Sequence, residues 1–296
     1  MTVAICTHNR ADYLPAALRS VVGEPTGQAA VEVMVVDNAS TDATRAVVTA
    51  HPGVRYVAEP RLGLSHARNR ALAEAEGDVV AFLDDDAVAC AAWASRHADA
   101  FADPHVGATG GPIHLVWPGA RPRWMPAAVE GLYAGLDLGA IDRDFASDET
   151  PFGANLAVRR RVALDLGGFN PALGRKGTSL VSNEESEFLR RLRAGHRIRY
   201  VAGAAVDHAV VPGRDRVGYL LRRAYAAGRS DVIDGSAPRR ASATASLLGN
   251  AARVMTMRGG GERGVPGAVA GAAWAAEDLG RLLSGRRASA RQPGSS

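Results

Sequence analysis

The chain has little of several things that would place it in a common class. Only two cysteines, Cys6 and Cys90, occur in 296 residues, too few for a disulfide framework. Cys6 falls in an apolar run and reads as a small core residue, a usage that fits a reducing cytoplasm. Of the 35 Lys and Arg residues, only Lys176 is a lysine. Guanidinium groups suit bidentate binding of phosphate and carboxylate. The basic residues are interleaved with acids rather than gathered in one stripe. The net charge of +4 and the sequence pI of about 9.4 therefore do not by themselves indicate nucleic-acid binding. No run of 18 apolar residues occurs, so no transmembrane helix is expected, and no basic segment precedes the first apolar run, so no signal peptide is expected. There is no internal repeat. What is present, 47% hydrophobic and 22% charged residues, is ordinary for a globular protein, and the length allows one main domain plus an appendage.

Apolar runs of strand type at Thr2–Thr7, 31–36, 54–57 and 78–83 alternate with helical stretches at 11–22, 43–50 and 65–75. That alternation predicts βαβ units and a mostly parallel sheet. Beyond residue 86 the pattern changes. A helix is expected over 93–102, a strand with turns over 107–113 and an irregular stretch over 115–150. A mobile loop over 171–182, a helix over 184–194 and a strand over 197–201 follow. From about residue 215 the chain reads as helical and rich in Arg, Ala and Gly, with a basic amphipathic segment around Arg222 and Arg223. The low-complexity stretches 256–264 and 284–296 read as linker and tail.

The most informative feature is Phe82-Leu83-Asp84-Asp85-Asp86. An apolar strand delivers three carboxylates at its C-terminal end, where open α/β sheets bind ligands. Stacked carboxylates repel one another. A hard divalent cation resolves the repulsion, often through one or two carboxylates plus substrate phosphates. The alternative is an acidic turn that merely ends a strand.

The neighbouring motifs shift the balance, because together they resemble family 2 glycosyltransferases. Val3-Ala4-Ile5-Cys6-Thr7-His8-Asn9-Arg10 is similar to that family's opening strand and loop, and Val35-Val36-Asp37-Asn38-Ala39-Ser40-Thr41-Asp42 to its nucleotide-base motif. Gly63-Leu64-Ser65-His66-Ala67-Arg68-Asn69 resembles its Gly-x-x-x-Ala-Arg-Asn segment, and the Asp84–Asp86 run its Asp-x-Asp metal motif. Gly153-Ala154-Asn155-Leu156-Ala157-Val158-Arg159-Arg160 and Asn183-Glu184-Glu185-Ser186-Glu187 resemble its two acceptor-side motifs. The resemblance runs from about residue 3 to about residue 214. It implies the GT-A fold, a Rossmann-like α/β architecture with a mixed, mostly parallel sheet flanked by helices, here with a C-terminal helical appendage. The implied domains are a catalytic domain over 1–214 (donor half 1–112, acceptor half 113–214), a helical extension over 215–283 and a tail over 284–296.

The resemblance also implies roles, which the chemistry of each residue can support. Asp37 can accept a hydrogen bond from a uracil-type imide N–H, or it can cap a helix. Thr7, Asn9 and Arg10 lie in the loop on the donor side. Arg68 can pair with base or phosphate, or form a surface salt bridge. Asp84 is implied to contact ribose and Asp86 to hold the metal, Mn²⁺ or Mg²⁺, with Asp85 sharing either task. His208 can be a third metal ligand or a structural histidine. Glu185 stands where the family has a catalytic Asp, one methylene longer, and is expected to be the general base with Glu184 as its supporting or acceptor-binding partner. Acids in a first helical turn can also simply complement the helix dipole. Asn155 is expected at a helix start, where it orients acceptor or diphosphate or serves as an N-cap. Trp117 and Trp124 can stack on a sugar or pack in a core. Arg175 and Lys176 can close over the diphosphate or remain solvated loop charges.

The implied reaction is inverting, metal-dependent transfer of a sugar from a nucleotide sugar, a UDP sugar first, to a hydroxyl on a glycan, a lipid carrier or a small aglycone. A nucleotidyltransferase would place a Gly-rich basic loop after the first strand, and Thr7-His8-Asn9-Arg10 has no glycine. A non-catalytic nucleotide-sugar-binding or membrane-docking module is the third class, against which Asp84, Asp86 and Glu185 all argue. The expected location is cytoplasmic. The basic helix and the apolar stretch 265–276 leave contact with the inner face of a membrane open.

Overall fold

The computed structural model describes residues 1–23, 31–238, 242–244, 246–247, 250 and 265–289. They divide into two compact units. The first comprises Met1–Val116, Ala134–Gly177 and Glu184–Ala209, and the second Trp117–Tyr133, Thr178–Asn183 and the chain from Val210 onward. Residues 117–133 and 178–183 thus group with the C-terminal segment rather than with the span 1–214 in which the sequence places them.

The first unit is built on an eight-stranded sheet in the order β3-β2-β1-β4-β9-β6-β10-β8. These strands are β1 (Thr2–Thr7), β2 (Glu32–Asp37), β3 (Val54–Ala58), β4 (Val79–Asp84), β6 (Val106–Gly110), β8 (Arg143–Asp144), β9 (Asn155–Arg159) and β10 (Arg197–Tyr200). The neighbours β1–β2, β1–β4, β2–β3 and β6–β10 are parallel. β9 runs antiparallel between β4 and β6, which makes the sheet mixed. Apolar residues alternate between its faces. Val3, Ile5, Val33, Val35, Ala81 and Leu83 join the core cluster containing Leu14, Leu18 and Trp93. Ala4, Met34, Val36, Val80 and Phe82 join the one containing Leu72, Phe169 and Phe188. Strands covered on both faces need near-continuous apolar sequence, which is why these runs were visible.

Helices α1 (Leu14–Val21), α2 (Thr44–Thr49) and α3 (Leu64–Glu74) connect the first four strands, close to the expected spans. After β4 the chain makes a second, three-stranded sheet in the order β5-β11-β7, from β5 (Ala87–Ala89), β7 (Ile113–Val116) and β11 (Val206–Ala209). Helices α4 (Trp93–Ala100), α5 (Arg160–Asp165) and α6 (Glu184–Leu192) complete the unit. Asn155 opens β9 rather than a helix, a correction to the sequence reading. The turn Phe152–Asn155, closed by the Asn155 N–H on the Phe152 carbonyl at 3.0 Å, leads into strand pairing with β4 and β6.

In the second unit, α7 (Val217–Ile233) packs on the last helix, α8 (Val265–Ser289). Their backbones approach through one glycine from each. A Cβ on Gly228 would fall 1.8 Å from the Glu277 carbonyl oxygen, and one on Gly280 would fall 2.1 Å from that of Tyr225. Arg281 of α8 donates to Asp231 of α7 at 2.7 Å. α8 runs into the expected tail as far as Ser289; the remaining tail residues and the expected linker 256–264 lie outside the described residues. Among the described residues, no helix is long and apolar enough to cross a membrane.

Candidate active site

β4 ends at Asp84, beside Thr7 and Cys6 at the end of β1. Asp85 and Asp86 form the turn into β5. β11 returns antiparallel to β5, with His208 opposite Ala87, and the Ala209 N–H donates to the Asp86 carbonyl at 2.8 Å. This pairing carries His208 across 122 residues of sequence, so that its Nε2 lies 3.0 Å from Asp86 Oδ1. Ligand atoms of Asp84, Asp86 and His208 all lie within 4.8 Å of one another.

The electrostatics of the three aspartates favour a cation. Burial, and then the charge of Asp86, push Asp85 up to about 8, against the pull of Arg10 and a hydrogen bond from Thr7 Oγ1 at 2.7 Å. Asp84 is also pushed up, by burial first, with Arg68 opposing and Asp86 adding. A third of its side chain is open to solvent, which softens that push. The two carboxylates and one imidazole form a mixed oxygen–nitrogen set that suits Mn²⁺ and accommodates Mg²⁺ less readily. These residues therefore fit a divalent cation. Arg10 Nη1 lies 3.6 Å from Asp86 Oδ2 with its side chain about a quarter exposed, a position from which it can also meet an anionic ligand.

The loops after β1 and β2 are tied together. Asn9, at a left-handed φ of +53°, accepts from the Thr41 N–H at 2.7 Å and donates its own N–H to Ser40 Oγ at 3.0 Å. Its side chain thus shapes the loop pair. Asp37 accepts from the Ser40 N–H at 2.9 Å and from the Tyr56 hydroxyl at 2.7 Å. It therefore closes the turn, while each oxygen keeps a second lone pair.

Glu184 and Glu185 open α6, where the helix dipole favours acids. Glu184 is buried, and its Oε1 accepts from Arg68 Nη1 at 2.7 Å. Burial, and then the charge of Glu185, push it up to about 7, with Arg68 opposing. Oε2 of Glu184, like that of Glu185, is enclosed without a hydrogen-bond partner. Glu185 is half-buried, and its Oε2 is enclosed without a hydrogen-bond partner. Its charge is felt by Asp84, Arg68 and Glu184.

Arg68, expected to pair with base or phosphate or with a surface carboxylate, has a side chain only 3% exposed and held by Glu184 and Asp84. One expectation is corrected. Asn155 does not face an acceptor, because its side chain is fully buried. Its Nδ2 donates to the Pro112 and Ala204 carbonyls at 3.0 and 2.7 Å. Its Oδ1 accepts from Trp93 Nε1 and lies 2.9 Å from His97 Nε2. Trp93 and His97, one turn apart on α4, and Thr109 form this network with Asn155, which lies 58 residues beyond His97, so no local motif announces it.

The loop expected to be mobile is docked over 173–175. Arg175 O accepts from the Leu64 N–H at 2.9 Å, and Leu173 O from Ser65 Oγ at 2.8 Å. Lys176 is exposed. Trp117 and Trp124 belong to the second unit, where Trp117 packs on Tyr133 with ring centroids 5.5 Å apart.

Comparison with known proteins agrees with this geometry. The family Glycosyl transferase family 2 matches residues 2–165. A glucosyl-dolichyl phosphate glucuronosyltransferase of Haloferax volcanii is 29% identical over 174 residues, covering 58% of this chain and 55% of the relative, so the match spans little more than half of that protein. Succinoglycan biosynthesis protein ExoM of Rhizobium meliloti is 28% identical over 239 residues, covering 77% and 72%. Among solved structures, the mannosyltransferase PcManGT of Pyrobaculum calidifontis, in complex with GDP-Man and Mn²⁺, aligns with a TM-score of 0.56 at 22% identity, covering 99% of this chain and 75% of that one. TarS 1-349 of S. aureus, in complex with UDP-GlcNAc, aligns with a TM-score of 0.55 at 17% identity, covering 97% and 91%. These structural likenesses establish the GT-A fold. Because the family match runs from β1 through the Asp84–Asp86 site and over more than half of the chain, the chain belongs to glycosyl transferase family 2 and is a glycosyltransferase.

Proposed function

We propose that this glycosyltransferase moves a sugar from a nucleotide sugar, a UDP sugar first, to a hydroxyl acceptor with inversion, using Glu185 as general base. The observation that carries the reading is the Asp84–Asp86–His208 cluster in the same unit as the partnerless Glu185 oxygen. A divalent cation held by those three side chains supplies charge neutralisation for a departing nucleoside diphosphate. The protein's own groups do the rest. Asp37 uses a remaining lone pair for the imide N–H of a uracil-type base, and Thr7 helps to fix the Asp85 turn. Arg10 meets the diphosphate beside Asp86. Glu185 Oε2 takes the proton of the acceptor hydroxyl as its oxygen bonds to the anomeric carbon. The bond from that carbon to the diphosphate breaks on the opposite face, so an α-linked donor gives a β-linked product. A glycan, a lipid carrier and a small aglycone are all acceptors to test. The dolichyl-phosphate substrate named for one relative puts lipid-linked sugars first by analogy.

The test is thermal stabilisation by nucleoside diphosphates and nucleotide sugars, with Mn²⁺ and with chelator, followed by transfer assays. UDP stabilisation that needs Mn²⁺ and is lost in Asp86→Ala supports the donor site. Glu185→Gln should keep that stabilisation while the rate of transfer falls by about 10²–10⁴-fold. Binding of GDP in place of UDP would correct the nucleotide. Release of pyrophosphate from a nucleoside triphosphate would move the protein to the nucleotidyltransferase class.

A further inference from the structure

The segment Gly63-Leu64-Ser65-His66-Ala67-Arg68-Asn69 reads in the sequence as part of the donor site, yet in the structure Ser65, Arg68 and Asn69 are each held by protein partners. Ser65 Oγ donates to Leu173 O at 2.8 Å. Asn69 grips Phe169 from both sides, accepting from its N–H at 2.7 Å and donating to its carbonyl at 2.8 Å. Arg68 lies between these two anchors. One of its terminal nitrogens is 2.7 Å from Glu184 Oε1 and the other 3.8 Å from Asp84 Oδ1. The guanidinium stands over the rings of Phe82 and Phe169, 5.7 and 5.5 Å from their centroids. Gly153 is the floor of this compartment, since a Cβ there would lie 2.0 Å from Arg68 Nη2.

Three elements from distant parts of the sequence, the end of β4, the start of α6 and the turn before β9, therefore converge on one cation carried by the middle of α3. Two of them carry the groups assigned to the chemistry. Asp84 belongs to the metal cluster, and Glu184 is the covalent neighbour of Glu185. A planar guanidinium can hold two carboxylates at a fixed separation in a way an ammonium cannot. It also leaves a division of labour. Glu184 takes the close contact, the more distant Asp84 keeps its oxygens for a cation, and Glu185 keeps Oε2 for a proton.

We propose that Arg68 is a positioning residue that sets the base-bearing start of α6 against the metal-binding end of β4, without itself touching the donor. This rests on the reading of Glu185 as base and of Asp84 as a metal ligand. Breaking a buried ion pair by removing one partner leaves the other charge stranded, whereas replacing both with apolar groups of similar volume is often tolerated. That difference separates positioning from simple stability.

The experiment compares wild type, Arg68→Met, Arg68→Lys and the pair Arg68→Met/Glu184→Met. The readouts are melting temperature, Mn²⁺ affinity by calorimetry in the absence of donor, and kcat and KM for the nucleotide sugar. The expected result for Arg68→Met is a kcat at least 100-fold lower, Mn²⁺ affinity at least fivefold weaker and a KM within about threefold of wild type. Arg68→Lys should recover only part of the kcat. The double variant should regain the melting temperature and leave kcat low, so the comparison holds even where Arg68→Met folds poorly. A double variant with wild-type kcat, unchanged Mn²⁺ affinity in Arg68→Met, or a rise in KM with kcat preserved would each overturn the proposal, the last because it marks a donor contact. A wild-type protein that binds Mn²⁺ but transfers no sugar would overturn the functional reading alone, and the Mn²⁺ affinities would still decide the role of Arg68.

Discussion

At Asp86 one carboxylate faces an imidazole at 3.0 Å and a guanidinium at 3.6 Å, and it shares a cluster with Asp84. The acidic run could be read because it is contiguous and ends an apolar strand. His208 could only be nominated, because nothing local distinguishes a ligand from a structural histidine; strand pairing made it a neighbour of Asp86. Replacing it with alanine removes the only nitrogen from the cluster. The Mn²⁺ concentration for half-maximal activity in His208→Ala should therefore rise about tenfold or more, measured by metal titration of the chelator-stripped protein. Gly153 offers a second test at this scale. Its side-chain position is filled by the Arg68 guanidinium, which its ring and carboxylate partners prevent from moving aside. Gly153→Ala should lower stability by about 1–3 kcal/mol in urea unfolding, even though alanine usually favours a folded backbone over glycine. The burial of Arg68 against Glu184 could not be read from its motif, because burial is not a property of the local sequence.

The element that the sequence concealed is β9. Its residues are apolar enough for either strand or helix, and short apolar runs do not declare which. Insertion between β4 and β6 decided the matter and drew Asn155 inward, opposite Leu83 in the ladder. Its amide nitrogen donates to two carbonyls, so its oxygen must be the acceptor for His97 as well as for Trp93. His97 therefore carries its proton on Nε2, and its Nδ1 accepts from the Thr109 hydroxyl at 2.7 Å. Asn155→Leu keeps the volume but strands these groups, and should cost on the order of 3–5 kcal/mol. Burial also holds the imidazole neutral, with its pKa pushed down from 6.5 to about 4. Between those values the unfolded chain binds a proton that the folded protein refuses. The contribution of His97 is thus fully present above about pH 6.5 and is lost as pH falls toward 4, by about 3 kcal/mol in total. Urea unfolding at pH 7, 5.5 and 4.5 should show a shallower acid loss in His97→Gln than in wild type; parallel slopes would contradict the buried neutral imidazole.

Across the molecule, two units were drawn from one chain in an order no linear boundary captures. The second unit collects residues 117–133 and 178–183 with the C-terminal helices. Its helix pair is fixed by Gly228 and Gly280, each within van der Waals overlap of the opposite backbone if given a Cβ. Gly228→Ala should force α7 and α8 apart and lower the stability of this unit by about 1–3 kcal/mol, read as a shift in its helical unfolding by circular dichroism. The sequence by itself determined the alternating strands and helices of the first half, the buried character of β1, β2 and β4, the acidic turn at their ends and the acidic start of α6. Each of these is written in a few consecutive residues, as an apolar period or a charge at a helix terminus. Tertiary structure alone decided which polar groups are enclosed and which partners they meet. Long-range pairing brought His208 to Asp86, buried Arg68 against Glu184 and turned Asn155 into the hub of a core network. The physical reason is that burial and the identity of a hydrogen-bond partner are properties of the assembled sheet, fixed by residues tens of positions away, and so leave no mark in the local pattern.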